Sequence, residues 1–163
     1  MTTTIRILGI DPGLNHTGWG VIEARGNDLT HVANGTVHTK ADAPLAARLM
    51  IIHNALMEII RSFDPAEAAI EETFVNRDAR ATLKLGHARA AAMLAAARCD
   101  LMIAEYAPNR VKKAIVGAGH AQKRQVAAMV GMLLPKARLD GSDAADALAV
   151  AICHAHYRTA LAR

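Results

Sequence analysis

The stretch Ile5-Arg6-Ile7-Leu8-Gly9-Ile10-Asp11-Pro12-Gly13 decides the fold: an apolar, β-branched run stops on a carboxylate and then breaks at Pro-Gly. That pattern reads as a central strand feeding a tight turn. Asp is a poor strand former and costly to bury alone, so Asp11 at the strand end needs a reason. One reason is an Asx-turn, in which its side chain hydrogen-bonds the backbone that follows. The other is a carboxylate held on a rigid strand end to coordinate a metal or polarise water.

Downstream, Gly18-Trp19-Gly20-Val21-Ile22-Glu23-Ala24 reads as a second strand and Arg25-Gly26-Asn27-Asp28 as a turn. Leu29 to Thr39 reads as a third strand, with Asn34-Gly35 as a bulge or second turn. Short connections make these an antiparallel meander. Leu45, Leu49, Ile52, Leu56, Ile59 and Ile60 form one stripe of a helix over Ala43 to Phe63, ended by Asp64-Pro65. Glu67 to Glu72 is a short strand that again stops on carboxylate. A helix over Ala79 to Arg98, a buried strand Leu101 to Ala104, a helix from Pro108 to Ile115 and another from about Ala121 to Leu134 follow. Ser142 is placed to cap a last helix, Asp143 to about Tyr157. The order predicts one α/β domain over residues 1–163. Its sheet is five-stranded and mixed, three strands antiparallel and two parallel strands reached by right-handed crossovers, with helices on its flanks.

The 163 residues suffice for a core without disulfides or a structural metal. Hydrophobic residues are 52% and aromatics only 3%, so that core must be aliphatic and an exposed aromatic is conspicuous. Cys99 and Cys153 make no metal-spaced pair and suit a reducing cytosol. No secretory-signal pattern and no bilayer-length apolar run occurs, so a soluble cytoplasmic protein with no membrane partner is expected. The net charge of +4 is uneven: Arg77 to Arg124 holds ten basic residues against three acidic ones, a local +7 that leaves −3 elsewhere. Such asymmetry favours a polyanionic partner, most often nucleic acid.

Four acids lie where an element begins or ends. Asp11 and Glu71 close strands that would neighbour each other in a parallel arrangement, and ligands bind at the carboxyl ends of such strands. Asp143 and Asp146, three apart, share a helix face. Helix N-terminal charge accounts for that pair but not for Glu71. If the helix packs beside the strand ends, four carboxylates converge, a cluster that cannot fully ionise without cations. All-oxygen donors select Mg²⁺ or Mn²⁺, and two such ions about 3.5–4 Å apart can clamp a phosphoryl transfer.

Together these stretches resemble the RuvC family of bacterial Holliday junction resolvases. The resemblance rests on Ile7-Leu8-Gly9-Ile10-Asp11-Pro12-Gly13, Thr17-Gly18-Trp19-Gly20-Val21, Ala69-Ile70-Glu71-Glu72-Thr73-Phe74, Ala81-Thr82-Leu83-Lys84-Leu85-Gly86 and the Asp143-Ala144-Ala145-Asp146 helix, in order along nearly the whole chain. Glu105-Tyr106, Val111-Lys112-Lys113 and Val116-Gly117 extend it. It implies a ribonuclease H-like fold and a homodimer that cuts four-way DNA junctions by paired symmetric nicks in recombination and repair. Each nick would leave a ligatable 5′-phosphate and 3′-hydroxyl. It further implies Asp11, Glu71, Asp143 and Asp146 as catalytic ligands of Mg²⁺, with Mn²⁺ able to substitute, two ions per site, and RuvA and RuvB branch-migration proteins as partners.

The same resemblance favours base stacking for Phe74, worth about 1–3 kcal/mol, over the core packing expected of an arbitrary Phe. It places Lys112 and Lys123 near the scissile phosphate. Arg77, Arg80, Lys84 and Arg89 could track the phosphate backbone. Alanines 88, 90, 91, 92, 95, 96 and 97 permit close helix approach, as a dimer seam or as plain core packing. His154 and His156 are expected to play a surface or helix-dipole role. His87, Ala90 and Asn76-Arg77-Asp78 depart from the family pattern, which bears on sequence preference. Three rivals remain: an actin-like phosphate hairpin, which needs a second domain; a ribonuclease H-like nuclease acting on RNA or RNA/DNA hybrid; and a junction-binding module without catalysis.

Overall fold

The computed structural model describes residues 3–74 and 77–161, with side chains through 158. Its five strands are β1 (Ile5–Asp11), β2 (His16–Arg25), β3 (Asp28–His38), β4 (Glu67–Glu71) and β5 (Ile103–Tyr106). The helices are α1 (Leu45–Phe63), α2 (Ala79–Arg98), α3 (Pro108–Val116), α4 (Lys123–Leu133) and α5 (Ser142–Leu161). The sheet order is β3-β2-β1-β4-β5, antiparallel across β3, β2 and β1 and parallel across β1, β4 and β5. This is the mixed sheet expected from the order of elements. Among the described residues no helix is long and apolar enough to cross a membrane.

β1 is central, which explains its unbroken apolar run: both of its faces are covered. Leu8 and Ile10 join Val21, Ala68 and Ile70 in a core under α1 and α2. Ile7 joins Ile22, Ala69 and a long apolar face of α5 in a second core, closed by α3 and α4. Arg6, at the strand's outer end, pairs with Glu23 on β2 at 2.8 Å and donates to the Phe63 carbonyl at the end of α1 at 2.6 Å.

The α5 face of β1 and β2 is paved with glycine. Gly9 stands opposite Gly20, and Gly18 stands opposite Asp11. A Cβ on Gly18 would collide with the Asp143 carbonyl oxygen, one on Gly9 would lie 2.7 Å from the Ala151 nitrogen, and one on Gly20 2.6 Å from Leu148 Cδ2. The first two turns of α5 therefore rest almost directly on the strand backbones, within reach of Asp11.

Three local expectations change. The bulge in β3 is at Val32, because Val21 pairs with Ala33 and Ile22 with His31, whereas Asn34 and Gly35 stay in register. Gly35 serves instead as the cross-strand neighbour of Trp19, whose ring a Cβ there would meet at 2.9 Å. β5 begins at Ile103 rather than Leu101, since Asp100 turns left-handed (φ 54) and Leu101 donates back to Ala96 to close α2. The alanine stripe of α2 is internal packing rather than a seam between chains. Ala88, Ala91, Ala92, Ala95 and Ala96 are buried in the core shared with α1, and only Ala90 and Ala97 face outward.

Two glycines of opposite kind test this packing. Gly18→Ala is expected to lose about 1–3 kcal/mol, because the helix above cannot yield without leaving the sheet. Gly86→Ala, with nothing within 4 Å of a Cβ on α2, is expected to gain about 0.5–1 kcal/mol. Urea midpoints of the two variants, shifting in opposite directions, check the pair.

Candidate active site

Asp11 leaves β1 on the α5 side, since it shares that face with Ile7 and Gly9. Parallel pairing of β1 with β4, in register at Ile10 and Ile70, brings Glu71 alongside it on the same face. Asp146 descends on them from α5, Lys112 enters from α3 and Lys123 from the first residue of α4. These five polar side chains line one narrow cleft of about 150 Å³, with Val111 and Val126 among its apolar walls. Asp143 is close enough to Asp11 and Lys123 to act on their charge, yet it opens on the neighbouring groove.

The turn after Asp11 is held independently of its carboxylate. Fully buried Thr17 donates its hydroxyl to the Gly13 carbonyl at 2.6 Å and accepts from the Gly13 N–H at 3.3 Å. Thr39 donates its hydroxyl to the Leu14 carbonyl and its N–H to the Asn15 carbonyl. Among the described residues Asp11 makes no Asx-turn bond, so of its two readings the open carboxylate is the one the structure displays.

Electrostatics mark Asp11 as the strained member. Burial, followed by the charges of Glu71 and Asp146, pushes its pKa up to about 8, with Asp143 adding and Lys123 opposing. Glu71 is raised as well, first by burial and then by Asp146, against Lys123 and Lys112. Lys123 Nζ lies 3.1 Å from Asp146 Oδ2, and that bond holds the ammonium above its ordinary range. Because this lysine is largely exposed, water screens the pair and leaves the acid cluster under-neutralised.

The donor set fits a hard divalent cation in chemistry, being all carboxylate oxygen. It also fits in charge, since such an ion would relieve the repulsion that raises Asp11 and Glu71. The carboxylates stand apart rather than drawn together: among the described residues no three His, Cys, Asp or Glu side chains converge on one ion position. Asp146 is bonded to Lys123 at 3.1 Å, so closing a shell requires side-chain movement.

Of the expected nucleic-acid contacts, Lys112 and Lys123 line the cleft and the others fall outside it. Phe74 is 60% exposed just past Glu71, and Arg77, Arg80 and Lys84 lie exposed on the approach to α2 and its first turns. Asn76, one of the departures noted above, lies outside the described residues. Arg89 is a structural tie rather than a free backbone contact. It bonds Glu105 and reaches the Glu71 carbonyl at 3.4 Å, because the parallel strands leave β5 and β4 ends side by side beneath α2.

His154 is a second correction. It is 9% exposed, not a surface residue, with Nδ1 2.8 Å from the Tyr106 hydroxyl and Nε2 2.7 Å from Glu67 Oε2. The Glu67 carboxylate, held below the ordinary range, accepts from Nε2, and Nδ1 shares its hydrogen bond with the Tyr106 hydroxyl. Arg158 adds a forked pair to Glu67 at 2.8 and 2.9 Å. Glu67 and Glu71 share a face of β4, and α5 is bonded to that strand at its Glu67 end. His156 is exposed. Sequence reasoning missed Glu67, Arg158 and Arg48. The only signal for Arg48 was a charge at the position four before Ile52, inside an otherwise apolar stripe.

A mixed sheet of this order, with carboxylates ending β1 and β4 beneath a helix bearing two more, defines the ribonuclease H-like class. Within that class the chain belongs to the crossover junction endodeoxyribonuclease RuvC family, whose model matches residues 7–154. A relative of that name from Sinorhizobium fredii (strain NBRC 101917 / NGR234) is 58% identical over 161 residues, covering 99% of this chain and 95% of the relative. T. thermophilus RuvC, solved in complex with a Holliday junction substrate, superposes with a TM-score of 0.90 at 35% identity over 96% of each chain. The yeast mitochondrial Holliday junction resolvase Ydc2 shares the fold, at TM-score 0.71 and 12% identity over 99% of this chain and 82% of its own. The protein is an endonuclease of a metal-dependent family.

Two pH dependences follow from these charges. The folded, metal-free protein keeps a proton on Asp11 that the unfolded chain has already released, so its stability falls as pH rises from the ordinary carboxylate range to about 8. In chelator, Asp11→Asn is expected to remove most of that slope and to melt higher than wild type at pH 8. Glu67 has the opposite sign: its bonds to Arg158 and His154, the former the stronger, hold its pKa below the usual range. Its stabilisation is present above that range and is lost as pH falls through the lowered value. Glu67→Gln is expected to cost about 1–3 kcal/mol at neutral pH, with the gap to wild type closing in acid. Melting curves from pH 3 to 9, a range of about six units spanning both shifts, check both signs.

Proposed function

We propose that this chain is one nuclease domain that resolves four-way DNA junctions in the cytoplasm, by paired symmetric Mg²⁺-dependent nicks made by a homodimer during recombination and repair. The observation that carries the reading is the cleft in which Asp11, Glu71 and Asp146 face Lys112 and Lys123. Asp143 completes the carboxylate set from the α5 side. A divalent cation held there, Mg²⁺ or Mn²⁺ and two ions per site, supplies Lewis acidity at a phosphodiester and lowers the pKa of attacking water.

The chain's own residues do the rest. Asp11 acts as a ligand in its ionised form, which Lys123 favours. Lys112 and Lys123 present ammonium groups to the charge that develops on the phosphate oxygens as the bond to the leaving 3′-oxygen breaks, leaving 3′-hydroxyl and 5′-phosphate ends. Phe74 stacks on a base opened near the junction centre, which its exposure supports. Arg77, Arg80 and Lys84 follow the backbone of an arm. The solved complex of the T. thermophilus relative with a Holliday junction supports the substrate. Exposed Leu94 on α2 and Met50 on α1 line one surface groove, which supports a protein-covered face there for the dimer. RuvA and RuvB are the partners that would present the junction.

Purified protein with Mg²⁺ and three labelled substrates tests this reading: a four-way junction, a linear duplex and an RNA/DNA hybrid. Paired nicks confined to the junction are expected, and a preference for the hybrid would overturn the junction assignment. Asp11→Asn is expected to abolish cutting while retaining junction binding. Lys112→Gln and Lys123→Gln should each slow cutting by about 10²–10³-fold in single turnover, with little change in binding.

A further inference from the structure

The groove on the other side of Asp143 is built around a buried cation that the mechanism above does not use. Arg48, in the first turn of α1, is 5% exposed, and every acceptor it meets is neutral. Its Nε donates to Thr39 Oγ1 at 2.9 Å, its Nη2 to Asn15 Oδ1, and its Nη1 to the Ala41 carbonyl at a long 3.5 Å. Among the described residues no carboxylate forms an ion pair with it. A buried charge without a counter-ion is costly, and three neutral oxygens offset only part of that cost. Clamping the turn after Asp11 explains the hydrogen bonds, yet all three acceptors are neutral and leave the guanidinium charge without a counter-ion.

The charge makes sense if the counter-ion arrives with the substrate. Arg48 lines a groove of about 490 Å³ together with Gly13, Asn15, His16 and Lys84, and Asp143 closes one end of it. The groove thus adjoins the carboxylate cleft, with Asp143 on the groove side and Asp146 on the cleft side. Two cations from different elements, one rigid and one on a flexible stem, face an opening that contains a single acid. A guanidinium fork matches phosphate oxygens, and an ammonium adds charge from a second direction.

We propose that Arg48 and Lys84, with the Gly13 to His16 turn as floor, form a subsite for a backbone phosphate of the cleaved strand adjacent to the scissile one. The proposal rests on the nuclease reading and adds to it the path of the strand: from the catalytic cleft, past Asp143, into this groove. Arg48 also holds the turn that follows Asp11, so a phosphate seated on it positions the strand and braces that turn at once.

The test uses metal-free wild-type protein and four-way junctions in which one phosphate at a time, on either side of the cleavage point, is replaced by an uncharged methylphosphonate. One flanking position is expected to weaken binding by about tenfold, the scale of a lost charged hydrogen bond. In Arg48→Gln and in Lys84→Gln that same replacement is expected to cost little further, because the partner is already gone. Each variant should also lower the salt slope for unmodified junction by about one. Lys84 is exposed and makes no hydrogen bond to the turn among the described residues, so Lys84→Gln decides the matter if Arg48→Gln fails to fold. Losses that multiply independently in the variants, or an absence of any sensitive flanking phosphate, overturn the subsite. Failure of the nuclease reading shows elsewhere, as unmodified junction that wild type does not cut in Mg²⁺; failure of the subsite alone leaves that cutting intact.

Discussion

The molecule depends on one close approach: the first turns of α5 lying against β1 and β2 where Gly9, Gly18 and Gly20 leave no strand side chain between them. Nothing larger fits beneath Asp143, Ala147 and Leu148. A helix on a sheet ordinarily stands off by the thickness of the side chains between them. Here the missing layer lets two short acidic side chains on the helix come near acids at the strand ends. The function needs the helix low, and the fold makes it low by leaving atoms out.

The consequence is a standing conflict of charge. Asp11 is pushed far from the ordinary carboxylate range first by its burial and then by the charges of Glu71 and Asp146. The two lysines moderate the conflict without removing it, and Lys123 is too exposed to do more. The far end of α5 is bonded instead: its His154 and Arg158 meet Glu67, on the same strand that carries Glu71, and His154 also meets Tyr106 of β5. Stability and reactivity are thus divided between the two ends of β4.

The sequence was legible where local chemistry and pattern agreed. The strand stopping at Asp11, the second carboxylate stop at Glu71 and the paired acids of α5 were visible because acids at element ends have few structural excuses. Sheet order followed from element order. What escaped was decided by tertiary neighbours. Asn34-Gly35 carried turn chemistry, yet Gly35 exists to seat the Trp19 ring, and the bulge fell at an unremarkable Val32. Alanine content on α2 does not say whether the facing surface belongs to the same chain. His154 looked peripheral because a position late in a helix reveals nothing of the strand beneath it. Arg48 hid in an apolar stripe because its acceptors are backbone, Asn and Thr, none of which advertises a guanidinium.

Trp19 sits on β2 one residue from Gly18, with its ring over Gly35 and 5.7 Å from that of Phe63 at the end of α1. It is the chain's single tryptophan. Indole emission is therefore a one-sided gauge: it reads the α1 layer of the molecule and is nearly blind to loosening of α5, so a variant with a frayed catalytic layer could look spectroscopically intact.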